Sequence, residues 1–132
     1  MGMFDWYEPT DTLGCPVCGR ALAEWQGKDG PCGLFVWRQG TPQPIDQRVS
    51  DECRISAEEV ARLRLPGEFV IYASCCGGEF SVEARCKTAG GIWSTTSLMT
   101  PDEVDELHYA EPRERRAART AWLSGALGRP PS

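Results

Sequence analysis

Histidine is nearly missing from this chain. His108 is the single one among 132 residues, so a Cys–His nucleophilic dyad could use only that side chain. No Gly-x-Ser-x-Gly turn marks a serine nucleophile. No glycine-rich phosphate-cradling loop occurs, and no apolar run approaches the length of a bilayer span. The opening residues Met1–Glu8 have no basic region followed by an apolar stretch, so a secretory signal is not expected. Trp6 stands where N-myristoylation needs Ser or Thr. Without an export signal, a cytoplasmic chain with reduced thiols and no membrane association is expected. Repeats of solenoid period are also lacking.

Cysteine, by contrast, is abundant. There are seven, an odd number that leaves one over from any complete disulfide framework, so metal ligands, core thiols or reactive groups are expected instead. Fourteen glycines and ten prolines cut the chain into short segments, while 41% hydrophobic content and five tryptophans support folding. The length suits one ordinary domain. We expect a zinc-binding, β-rich domain over residues 1–99 and a helical C-terminal appendage over 100–132.

The net charge of -5 is unevenly placed. Residues 1–100 carry -4, and residues 101–111 hold five acids and no base. Residues 112–132 carry five arginines against one acid. An acidic body repels phosphate backbones, which disfavours nucleic acid as a partner for everything except the arginine tail. The plainer reading of that tail is a helix face paired with the acids just before it.

Cys15-Pro16-Val17-Cys18-Gly19 is the strongest chemical signal. Two thiolates three positions apart, followed by a glycine that permits a tight turn, can direct both sulfurs at one ion. A thioredoxin-like motif would open a helix, whereas turn and strand signals follow here. A structural zinc site needs four ligands. The second pair is expected at Cys75 and Cys76, beside Gly77-Gly78 at a hairpin tip. Adjacent residues of a strand point to opposite faces, so both can bind only if the backbone turns between them. The alternatives recruit Cys32 or Cys53. Cys86 sits on an apolar strand face about ten residues from the tip, too far at ~3.3 Å per residue, and is expected in the core. His108 is expected to be solvated or partly packed.

In chain order, residues 1–14 read as an extended arm docking through Phe4 and Trp6. Residues 21–26 and 34–38 read as a hairpin on the knuckle, and 39–55 as a surface loop. Ser56-Ala57-Glu58-Glu59 is a capping box opening a helix of about ten residues that packs by Val60 and Leu63. Alternation over 69–74, 80–86 and 92–99 predicts an antiparallel meander with Phe80, Val82 and Ala84 inward. Thr100-Pro101-Asp102-Glu103 is a second capping box. After Pro112, residues 113–127 form a helix with Ala118, Ala121, Trp122 and Gly125 on one side. Trp25, Gln26, Lys28 and Asp29, with Trp37 on the partner strand, make a candidate interaction surface. The alternative has both tryptophans covering the core and Lys28-Asp29 making a turn.

Met3-Phe4-Asp5-Trp6, the Cys-Pro-Val-Cys-Gly knuckle, the run Trp25-Gln26-x-Lys28-Asp29-x-x-Cys32 and Ile71-Tyr72 leading to Cys-Gly resemble a family of small, uncharacterised bacterial and phage proteins. These begin Met-Phe-Asp and carry an aromatic-Gln-x-Lys run ending in Cys. The likeness covers roughly residues 3–85. Some members have a second Cys-x-x-Cys-Gly where this chain has Cys75-Cys76-Gly77. The resemblance implies a zinc-bearing β architecture and assigns no activity.

Together these readings predict an α+β protein: a small antiparallel sheet, zinc-ribbon-like, with short helices and a C-terminal helical segment. Its metal is Zn2+, held by Cys15, Cys18, Cys75 and Cys76, and its role is non-enzymatic binding of another protein, as adaptor, regulator or toxin neutraliser. The alternatives are an enzyme using Cys53, Cys75 or Cys76 with His108, and a nucleic-acid binder using the C-terminal arginines.

Overall fold

A computed structural model describes residues 4–76 and 80–127. Gly77 and Gly78 of the expected second knuckle, Met3 and the last five residues lie outside the described residues.

Strong alternation of β-branched and aromatic residues makes β5 (Glu68–Ser74), β6 (Ser81–Ala89) and β7 (Ile92–Leu98) a continuous antiparallel meander. Phe80, expected to face inward with Val82 and Ala84, is instead buried outside the core, against Trp122; Phe69, Ile71 and Ala73 of β5 share the inner face with Val82, Ala84 and Cys86 of β6. Those residues meet Tyr7, Trp25 and Trp93 in one core, with Trp93 edge-on to both Tyr7 and Phe69.

The N-terminal segment departs from expectation. It is no docking arm but β1 (Asp5–Glu8), an interior strand between β2 (Trp25–Gly27) and β3 (Phe35–Arg38). β1 runs antiparallel to β2 and parallel to β3, so β2 and β3 are not a hairpin and the sheet is mixed rather than antiparallel. The cause is Asp5, whose side chain is fully buried. Its Oδ1 accepts from the N–H groups of Gly33 and Phe35 at 2.9 and 3.0 Å, and its Oδ2 from Cys32 N–H and Trp37 Nε1–H at 3.0 and 3.1 Å. One carboxylate thus satisfies the loop that carries the chain around the end of β1. Asp29 adds a tie to β5, accepting from Val70 N–H at 3.0 Å.

The expected loop over 39–55 contains a short edge strand, β4 (Asp46–Gln47), and one 3-10 turn at Asp51–Cys53. The seven strands take the order β4-β3-β1-β2-β5-β6-β7. The sheet curls until the end of β3 nears β7. Gly40 N–H donates to Trp93 O at 2.8 Å, and Gln39 spans the gap, its Nε2 donating to Ser94 O at 2.8 Å while its Oε1 accepts from Thr96 at 2.8 Å.

Both capping boxes form, at Ser56/Glu59 and Thr100/Glu103. The first opens only α1 (Ala57–Val60), four residues rather than ten. Pro66 disfavours helical backbone at Leu65, and the segment turns after Val60 to bury Leu65. α2 (Pro101–Leu107) and α3 (Arg113–Leu127) cover the outer face of the meander, where Met99, Val104 and Leu123 pack with Val70 and Trp122. Among the described side chains of α3 the buried positions are Arg119 and Leu123, and Gly125 of the expected stripe lies outside them. Ala118 and Ala121 are exposed, contrary to the expected stripe, because Trp122 and Leu123 follow Phe80 and Val70 beneath the helix.

Candidate metal centre

The knuckle is a tight loop between antiparallel arms. Leu22 N–H donates to Leu13 O and Cys15 N–H to Arg20 O, both at 2.8 Å. At the tip Gly19 N–H closes onto Cys15 O at 2.8 Å. Gly19 takes φ +79, the left-handed backbone that its lack of a Cβ allows. Val17 N–H points at Cys15 Sγ, 3.4 Å away.

The facing pair sits where β5 ends. Cys76 has φ 63. That left-handed residue supplies the turn between two adjacent cysteines and brings both sulfurs to one side. The turn that the adjacent pair requires thus occurs at Cys76 itself.

The sulfurs of Cys15, Cys18, Cys75 and Cys76 all lie within 4.8 Å of one another. Cys18 Sγ is 3.3 Å from Cys75 Sγ, and Cys15 Sγ is 3.8 Å from Cys76 Sγ. Cys15 is buried, whereas Cys18 and Cys76 are exposed. Four thiols this close share charge unequally. The Arg20 backbone N–H, helped by the Cys75 and Cys76 thiols, lowers Cys18 to about 7. Contact with Cys18 then raises Cys75 and pushes Cys76 up to about 12. Without a cation the cluster therefore concentrates its negative charge on Cys18. A divalent ion removes that conflict by neutralising several thiolates at once, so the donor set can hold a metal ion.

Comparison with protein-family models, curated proteins and solved structures finds no match to this chain.

The other cysteines stay apart from the cluster. Cys32 Sγ donates to Lys28 O at 3.2 Å beside Asp5. Cys53 is exposed in the 3-10 turn, 3.4 Å from Ser50 Oγ. Cys86 is buried in the core, where loss of water pushes its thiol up to about 12.

Within the candidate interaction surface, Trp25 and Trp37 are 2% and 1% exposed. This corrects their placement as recognition residues: both fill the core, and Trp37 also donates to Asp5. Asp29 is exposed but engaged with β5, Lys28 is exposed, and Gln26 is partly buried. His108 is neither free nor a metal ligand in this arrangement. Its Nε2 lies 2.7 Å from Glu83 Oε1. Asp5, Glu83 and Arg119 escaped the sequence reading. Only the position of Asp5 inside the alternating run Phe4-Asp5-Trp6-Tyr7 hinted that one charge would be buried.

Proposed function

We propose that this chain is a small cytoplasmic zinc protein in which Zn2+ joins two cysteine knuckles in a zinc-ribbon-like clamp, and that it acts by binding another protein. The observation that supports the metal is the group of four sulfurs within 4.8 Å. Zn–S bonds of ~2.3 Å place the sulfurs of a tetrahedral site about 3.8 Å apart, close to the two cross-knuckle distances. Four thiolates also favour zinc over harder cations. Such a site is closed, with no position left for water or substrate, which argues for a structural ion. The clamp ties the loop before β2 to the β5–β6 tip, some sixty residues later.

The arginine tail supports a protein partner over nucleic acid. Arg116 is paired with Asp105 at 2.8 Å, Arg119 with Glu111 at 2.7 Å, and Arg115 lies 3.7 Å from Glu111. These cations are engaged within the fold. Among the described residues no helix is long and apolar enough to cross a membrane. Gln26 and Lys28 are the proposed contact points for the partner. The family likeness carried by the Trp25–Cys32 run is in keeping with that choice.

Metal analysis of the purified chain tests the clamp. One zinc per chain and loss of the folded signal on chelation are expected, and a verified metal-free sample retaining full structure would refute it. Capture from the source lysate with wild-type and Lys28→Glu baits tests the surface. A protein retained by the first and lost by the second supports it, and equal retention by both rejects it.

A further inference from the structure

The four clustered sulfurs divide into two facing pairs, each with one member open to solvent. Cys18 is exposed, and its Sγ lies 3.3 Å from that of the half-buried Cys75. Cys76 is exposed, and its Sγ lies 3.8 Å from that of the buried Cys15. Within each pair the partners come from opposite knuckles, 57 and 61 residues apart in the chain. Covalent geometry restricts how such a set can pair on oxidation. Neighbouring Cα atoms are ~3.8 Å apart across a trans peptide, short of the ~4.4–6.8 Å that an unstrained disulfide spans. Bonding between Cys75 and Cys76 is therefore disfavoured. A Cys15–Cys18 bond would leave those two only each other, so complete oxidation joins each of them to the other knuckle. The two sulfur distances select Cys18 with Cys75 and Cys15 with Cys76.

We infer that this centre is a peroxide-sensitive modification site at which the tie between the knuckles passes from metal to disulfide, so that oxidation expels the ion and leaves the clamp shut. The inference rests on the zinc reading above for the ion, and on sulfur geometry alone for the bonds. The exposed Cys18 sulfur, as thiolate, attacks one oxygen of hydrogen peroxide. The O–O bond breaks, hydroxide leaves, and Cys18 becomes a sulfenic acid. The Cys75 sulfur, as thiolate, then displaces the sulfenic oxygen, which takes up a proton and leaves as water. Two thiols and one peroxide give one disulfide and two waters, and the two electrons lost by sulfur reduce the peroxide. Cys76 and Cys15 repeat the sequence with a second equivalent. A disulfide offers no thiolate to a cation, so the ion departs as its ligands are consumed. The bond between residues 57 apart then holds the loop before β2 against the end of β5 in its place. Cys53, also exposed, has Ser50 Oγ rather than a thiol beside it at 3.4 Å.

Order of addition tests this on the full chain carrying Cys53→Ser, which removes an exposed thiol able to link two molecules. Zinc content is measured first. Hydrogen peroxide, quenched with catalase and followed by a chelator, should release the zinc while the near-UV signal of the buried Trp25, Trp37 and Trp93 is retained. In the unreduced tryptic digest the peptide ending at Arg20 should be joined to the one ending at Arg85, and fragmentation should assign Cys18 to Cys75. Chelator with a reductant in place of peroxide should lose the tryptophan signal. Bonds confined within each peptide, four free thiols after peroxide, Cys18 joined to Cys76, or a tryptophan signal lost as zinc leaves under peroxide would each overturn the inference. A purified chain without zinc, or one that keeps its signal when chelated and reduced, fails the zinc reading instead, and the digest of the oxidised chain still decides the pairing.

Discussion

Replacing Asp5 by asparagine changes one heavy atom and should remove a large part of the protein's stability. The carboxylate receives four donors, two on each oxygen, at 2.9 to 3.1 Å. Asparagine keeps the shape and one acceptor but puts an NH2 where the other oxygen was. Whichever way the amide turns, two buried donors lose their acceptor and face a third donor. Hydrogen bonds to a charged group contribute ~1.5–3 kcal/mol each, so the loss is about 3–6 kcal/mol. Domains of this kind have only ~5–15 kcal/mol in total. Urea unfolding followed by tryptophan fluorescence measures it, with free zinc held constant because bound metal adds its own stabilisation. Trp37→Phe removes one donor from the same network, so the double variant should lose less than the two single changes combined. A loss below about 1 kcal/mol for Asp5→Asn would refute the claim that this carboxylate holds β1 between its neighbours.

The affinity of the proposed zinc site should fall steeply with acid. Cys75 and Cys76 are held as thiols in the free cluster, so binding releases about two protons at least and the apparent affinity drops roughly 100-fold per pH unit; competition with a chromogenic chelator between pH 6 and 8 reads this, and a flat profile would contradict a thiolate site. Cys86, with a folded value of about 12 against 9.0 for an ordinary thiol, supplies stability that is whole below pH 9 and lost as pH rises towards 12. The gap corresponds to at most about 4 kcal/mol, and the urea midpoint of Cys86→Ala should therefore depend less on pH above 9 than that of the wild type; identical slopes would show that Cys86 does not titrate in this window. At Gly30 a Cβ would stand 2.7 Å from Tyr7 Oη and 3.0 Å from Asp5 Oδ2. Gly30→Ala should destabilise by ~1–3 kcal/mol through overpacking, while Gly67→Ala, which meets nothing within 4 Å, serves as the control; equal melting temperatures for the two would discount the close approach.

The sequence by itself determined the local features. The β5–β6–β7 meander is written in the alternation of residues 69–98, because the two-residue period of a strand separates an apolar face from a polar one. Both capping boxes follow from the side chains at the helix starts. Grouping of Cys15 and Cys18 with Cys75 and Cys76 was also legible, since a Cys-x-x-Cys turn needs a partner and only one other pair stood at a tip. Tertiary structure decided the rest. β1 became interior because the Asp5 carboxylate binds N–H groups about thirty residues away, and no local pattern records a long-range acceptor. The fate of Trp25 and Trp37 likewise depended on which sheet face closed over them, and the curl that brings Gln39 to β7 supplied that face. Arg119 read as one cation in a solvated run. Packing of α3 over Phe80 buried it beside Glu111, because helix placement on a sheet is set by contacts between segments distant in sequence.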